Sequence, residues 1–207
     1  MNENGMLSVC IYDPNKIILV EDIPNFLSKI DYITEEKSLE SYDLIFIIGK
    51  VEEFKKIEKQ DITIQIVENT YDRNENFNST IVIEKSTSND YLEPIIEILE
   101  MILIPTYMAS NIYDVKYYFK QQHNGLMYYK TIIYEDCNSL KKELPQNLDM
   151  AFLMFKIGHN GSLYIISDTI MCYEDSLQNK DAEIFFNAIG VESECEIYCI
   201  SSIYKKK

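Results

Sequence analysis

Two adjacent acid pairs, Glu135-Asp136 and Glu174-Asp175, are of the residue type that holds magnesium for hydrolysis. Adjacent acids at the ends of secondary elements also serve as solvated caps. A metal-assisted hydrolase therefore requires Glu135, Asp136 and Glu174 to converge in one pocket. The two histidines, His123 and His159, both stand in turn-like segments, with no serine or cysteine elbow near them. They do not make a nucleophilic triad. The five cysteines, Cys10, Cys137, Cys172, Cys195 and Cys199, include no CxxC pair. With two histidines available, a zinc site has little support, and buried reduced thiols are expected instead.

Bulk charge narrows the partners. Lys plus Arg number 19 and Asp plus Glu 34, for a net charge of −15 across 207 residues. Phosphate backbones need a basic face, and Arg73 is the single arginine able to offer a bidentate fork. Nucleic acid is not expected as a partner. The basic run Lys205-Lys206-Lys207 is expected to be a solvated, frayed end. No apolar stretch reaches the length of about 18 residues needed to span a membrane. The first residues carry Glu3 and no basic region of a signal peptide, so a cytoplasmic protein without a membrane span is expected.

The elements that must position these residues follow from periodicity. Leu7–Tyr12 and Lys16–Val20 read as strands around an Asp13-Pro14-Asn15 turn, and Ile23–Ile30 as a helix begun by Pro24. Asp43–Gly49 is a continuous apolar run, as in a strand buried on both faces. Val51–Lys59 shows helical spacing, and Ile62–Val67 and Thr80–Glu84 read as strands, giving the length of a βαβ crossover. Asp90–Ile104, capped by Asn89 or Asp90, carries a wide apolar stripe and predicts a largely buried helix, with helical pattern resuming at Val115–Phe119. Beyond it, Gly125–Tyr134, Ala151–Ile157, Leu163–Ser167 and Cys195–Tyr204 read as strands. Asn138–Leu144 and Lys180–Ile189 read as helices, the second stopped by Gly190, and Gly158–Gly161 as a hairpin-like linker. The expected fold is α/β. A small parallel-type sheet (residues 1–89) leads through core helices (90–123) to a C-terminal α+β domain of order β-α-β-β-α-β (124–207).

This order resembles the FtsZ/tubulin-like cytoskeletal GTPases. In that family an apolar core helix is followed by a segment like P-G-L-I-N-L-D-F-A-D-V-K and a strand opening on glycine. Here Pro105-Thr106-Tyr107-Met108-Ala109-Ser110-Asn111-Ile112-Tyr113-Asp114-Val115-Lys116 precedes Gly125, with Asp114-Val115-Lys116 and Gly125 matching. Asp181-Ala182-Glu183-Ile184 resembles the E-A-A-E-I-I helix before the family's last strands. The departures concern chemistry. The family's G-G-G-T-G loop cradles nucleotide phosphates with backbone N–H groups that a Cβ would obstruct. Here Gly49 is followed by Lys50-Val51-Glu52-Glu53-Phe54, and the chain has six glycines in all. In the loop that activates water, Ala109 stands where the family has Asn and Asn111 where it has its first Asp, leaving Asp114.

The resemblance thus implies a shortened, catalytically inert relative with no catalytic residue, nucleotide or metal. It would act through a protein partner, an FtsZ-type polymer or itself. The chain's 16 tyrosines reflect AT-rich coding or a contact surface. On the second reading the candidate interface is Tyr107, Asn111, Tyr113, Asp114, Tyr117 and Tyr118. The competing classes are the acidic-site hydrolase and a self-associating structural protein.

Overall fold

A computed structural model of the chain describes residues 7–27, 30–35, 39, 42–52, 62–84, 87–103, 112–120, 125–134, 137–143, 147–157, 163–177, 181–190 and 198–206. Two compact units divide it: Met1–Ile96 with Ile112–Met127, and Glu97–Asn111 with Tyr128–Lys207. No helix among the described residues is long and apolar enough to cross a membrane.

The first unit is built on five parallel strands, β1 (Val9–Tyr12), β2 (Asp31–Ile33), β3 (Leu44–Ile48), β4 (Ile62–Val67) and β5 (Ser79–Val82), in the order β2-β1-β3-β4-β5. Every residue of β3 and β4 is buried: β3 is an uninterrupted apolar run, and β4 buries Thr63 and Gln65 among its apolar residues. Cys10 and Tyr12 share one face with Ile45 and Ile47 and pack with Leu39 and Phe77. Ile11 and Phe46, on the opposite face, are buried as well. Burial, with the charge of Asp31 second, pushes the Cys10 thiol up to about 12 and leaves it inert. Two helices, α1 (Ser88–Leu103) and α2 (Ile112–Lys120), contribute to this unit, α1 as far as Ile96. Thr87 caps α1, not Asn89 or Asp90. The Asp90 carboxylate accepts from the Thr87 backbone N–H and hydroxyl, and Asp90 N–H donates back to Thr87 Oγ1, a capping box.

Two expectations fail here. Lys16–Val20 is not a strand. The expected turn is present, with Lys16 N–H donating to the Asp13 carbonyl (3.2 Å), but Lys16 then takes φ +53° and Asp13 Oδ2 accepts the Ile18 N–H (2.8 Å). A side chain has claimed a donor that a ladder would need. In place of the Ile23–Ile30 helix stand two single 3-10 turns, Val20–Asp22 and Asn25–Leu27, separated by Pro24, and then β2, which periodicity did not reveal. The expected helix at Val51–Lys59 falls from residue 53 onward outside the described residues.

The second unit holds β6 (Gly125–Tyr134, from Tyr128), α3 (Cys137–Glu143), β7 (Leu148–Ile157), α4 (Leu163–Ser176), β8 (Glu183–Gly190) and β9 (Tyr198–Lys206). Its strands lie in the order β6-β9-β7-β8; β9 is antiparallel to both neighbours, and β7 and β8 are parallel. The observed sequence of elements is β-α-β-α-β-β, not β-α-β-β-α-β. Leu163–Ser167 opens α4: Ile166, Tyr173 and Leu177 recur at helical spacing and bury on the sheet, overriding the β-branched pair Ile165-Ile166. The helix expected at Lys180–Ile189 is replaced by β8, Glu183–Gly190, so the E-A-A-E-I-I match at Asp181–Ile184 runs into a strand. The Gly158–Gly161 linker lies outside the described residues, and β7 joins a parallel crossover, not a hairpin. One face of this sheet buries Leu153 and Phe155 with residues of α3 and α4. The other carries Lys156, which pairs with Glu97 of α1 (2.6 Å). Of the lysine run expected to fray, Lys205 pairs with Asp149 (3.3 Å) and Lys206 lies 4.3 Å from the centroid of the Tyr128 ring, while Lys207 lies outside the described residues.

Candidate functional site

The order β2-β1-β3-β4-β5 reverses direction between β1 and β3, and crevices form beyond the carboxyl ends of strands at such a switch point. A cavity of about 640 Å³ lies there. It is lined by Asn15 and Ile17 after β1, Gly49 to Glu52 after β3, Glu68 and Asp72 after β4, and Tyr91 of α1.

The turn that leaves β3 is held by three side-chain amides. Gln65, wholly buried in β4, donates from Nε2 to the carbonyls of Gly49 and Asp72 (both 3.0 Å) and accepts the Asn74 N–H at Oε1 (2.9 Å). Asn15 Nδ2 donates to the Lys50 carbonyl (3.0 Å) and Asn74 Nδ2 to that of Val51 (3.3 Å). Three successive carbonyls are thus closed by residues from three other places in the chain. Gly49 itself has φ +73°, which suits glycine, and a Cβ there would stand 2.7 Å from Ile17 Cδ1.

Charge among the described lining residues is mainly negative. Glu52, Glu68 and Asp72 stand there with one cation, Lys50, whose ammonium is 3.3 Å from Glu52. Glu68 Oε1 accepts from the Tyr91 hydroxyl (2.9 Å), and burial first, then this carboxylate, push that phenol above its usual range. Asp13, wholly buried beside the lining, accepts from the Tyr32 hydroxyl (2.8 Å), and its charge also reaches Tyr91. A nucleotide triphosphate does not fit this described lining. It would meet carboxylates and bulky side chains where it needs convergent N–H donors.

None of the sequence-derived candidates is among the described lining residues of this cleft. Tyr107 and Asn111 are outside the described residues. Tyr113 and Asp114 belong to α2, with side chains outside the description. Tyr117 is exposed on α2, whereas Tyr118 is wholly buried, edge-to-face against Phe119 (5.0 Å between centroids), and so belongs to the core. Cys10 and Cys172 are buried free thiols. His123, His159, Glu135 and Asp136 fall outside the described residues. Glu174 and Asp175 border a separate cavity of about 380 Å³ with Leu177, Ala182 and Ile184. Among the described residues no three His, Cys, Asp or Glu side chains converge as metal ligands. Periodicity missed Asn15, Gln65 and Asn74. The available signal was Gln65, the one amide side chain inside the run ITIQIV.

No family model matches the sequence, and neither does any curated protein. Solved structures do match. The empty FtsZ dimer of M. jannaschii aligns with a TM-score of 0.64 at 11% identity, over 98% of this chain and 89% of that one. CetZ from Methanosaeta thermophila aligns at 0.51 and 10% identity, over 80% of this chain and 61% of that one. Protofilaments of GDP-form TubZ from Bacillus thuringiensis serovar israelensis align at 0.51 and 10% identity, over 80% and 64%. With its mixed α/β architecture, the chain has an FtsZ/tubulin-like fold.

Proposed function

We propose that this chain is a non-catalytic FtsZ/tubulin-like protein that acts by protein–protein contact, docking on an FtsZ-type filament and modulating its assembly. One observation carries the reading. At the switch point of an FtsZ/tubulin-like fold, the Gly49–Val51 carbonyls are closed by Gln65, Asn15 and Asn74, and the surrounding lining is acidic. Such a turn presents no phosphate cradle. The exposed Tyr117, with Tyr107, Asn111, Tyr113 and Asp114, is the proposed contact region; Tyr118 is left out because it is buried.

Co-sedimentation with an FtsZ-type polymer tests this. The chain should pellet with polymer or change the amount that assembles. No pelleting and no change in assembly would remove the reading. Calorimetry with GTP and magnesium should give no binding heat, and micromolar binding would overturn the non-catalytic part.

A second reading is favoured by the solved neighbours, which include an FtsZ dimer and a two-stranded TubZ filament. This chain would then assemble with itself. Light scattering that rises with its own concentration, without added polymer, separates the two.

A further inference from the structure

We propose that the acidic cleft at the switch point is a docking site for a basic segment of the partner protein, whose Lys or Arg side chain enters between Glu68 and Asp72. The proposal rests on the reading of the chain as a protein-contact module and names what one of its surfaces accepts.

Charge complementarity is the first support. Glu52, Glu68 and Asp72 line the cleft, and Lys50, the one cation among its described lining residues, already stands beside Glu52. The buried Asp13 adds to the negative field at Tyr91. The hydrogen-bonding character of the lining is the second. Three carbonyls of its lining residues are occupied by amide donors, and Glu68 accepts from Tyr91 through Oε1. A ligand must therefore bring donors and positive charge together, which are the properties of a guanidinium or an ammonium.

Size and the exposed Tyr71 decide between a small cation and a side chain on a protein. A volume of about 640 Å³ far exceeds one dehydrated ion, and among the described residues no three ligands converge on a metal. It accommodates a long aliphatic stem with its charged head. Next in sequence to the lining residue Asp72, Tyr71 is 95% exposed. An aromatic ring left in solvent beside a charged pocket is the kind of anchor that protein interfaces bury. With a net charge of −15, a second copy of this chain carries the wrong overall sign, and a basic partner is drawn in by the long-range field.

The test is fluorescence anisotropy of a labelled arginine–glycine hexapeptide against the full chain at low and moderate salt. The expected result is binding that weakens with salt and falls about tenfold or more in the E68Q/D72N variant, since each charge-assisted contact carries roughly a factor of ten. Tyr71→Ala should weaken it about threefold. The control is E174Q/D175N, which removes the same charge in the other unit and should leave affinity unchanged. Glu68→Gln keeps an acceptor for Tyr91, and Asp72→Asn alone, checked for unchanged thermal unfolding, guards against a folding defect. Equal weakening in the control means general attraction to an acidic protein and overturns the proposal. So does absent peptide binding, or spermidine binding the cleft as tightly as the peptide. Co-sedimentation that survives E68Q/D72N keeps the proposed function and removes this docking site. Cleft-dependent peptide binding without co-sedimentation does the reverse.

Discussion

The two units each bury a polar cluster, and they do so by opposite means. In the first, Gln65 is neutral, wholly buried and hydrogen-bonded at both ends of its amide. In the second, among the described residues, Glu97 and Glu100 of α1 face Lys156 of β7, with Glu97 2.6 Å from it and almost wholly buried. Burial first, then the Glu97 charge, push the Glu100 carboxyl above its usual range, against the pull of Lys156. The amide hub is indifferent to pH and holds a turn in place. The ionic cluster has more negative charge than positive, so its stability depends on proton supply.

Breaking the hub should have the largest effect. Gln65→Leu leaves the Gly49 and Asp72 carbonyls and the Asn74 N–H without their partner, and should cost about 3 kcal/mol or more in urea unfolding, with no dependence on pH between 5 and 8. Lys156→Met should cost about 2 kcal/mol near neutrality, because a buried carboxylate then loses its cation. That loss should shrink as pH falls and the carboxylates take up protons. Glu100→Gln sharpens the contrast. A carboxyl whose folded value is raised contributes stability that is present at pH below its ordinary range and lost as pH rises through the raised value. Glutamine mimics the protonated form at every pH, so this variant should raise Tm at pH 8 and leave it unchanged at pH 4. Lys50→Ala, which removes an exposed ion pair with Glu52, should change stability by less than about 0.5 kcal/mol.

Sequence pattern located the elements that are buried on both faces or strongly periodic. The runs LIFII and ITIQIV became β3 and β4, GLMYYKTIIY became β6, and the apolar stripe of α1 lay within one residue of its observed C-terminal end. The errors fall where a local signal competed with a tertiary one. The β-branched residues near Leu163 suggested a strand, yet Ile166, Tyr173 and Leu177 had to reach one core. Gly190 looked like a helix cap, but the parallel pairing of Met150 with Glu183 through Ile157 with Gly190 makes it the end of β8. At the cleft, the lone Gly49 and its bulky successors were legible. The amides that close the turn were not, because Asn15, Gln65 and Asn74 meet only after three separate strands align. Lys205 and Lys206 were misjudged for a similar reason: their partners, Asp149 and Tyr128, are remote in sequence.

The position of β9 between β6 and β7 bears on how the second unit is made in the cell. These two earlier strands never pair with each other; each pairs with β9, which is synthesised after both. While the ribosome is still translating residues 158–197, β6 and β7 each lack their eventual neighbour, and a nascent chain with two unsatisfied strand edges is prone to stick to other chains. The sheet closes only when a segment more than sixty residues downstream of Tyr134 threads into that gap (198 − 134 = 64). So non-local a closure implies slow folding of this unit, with strand edges exposed until β9 is in place.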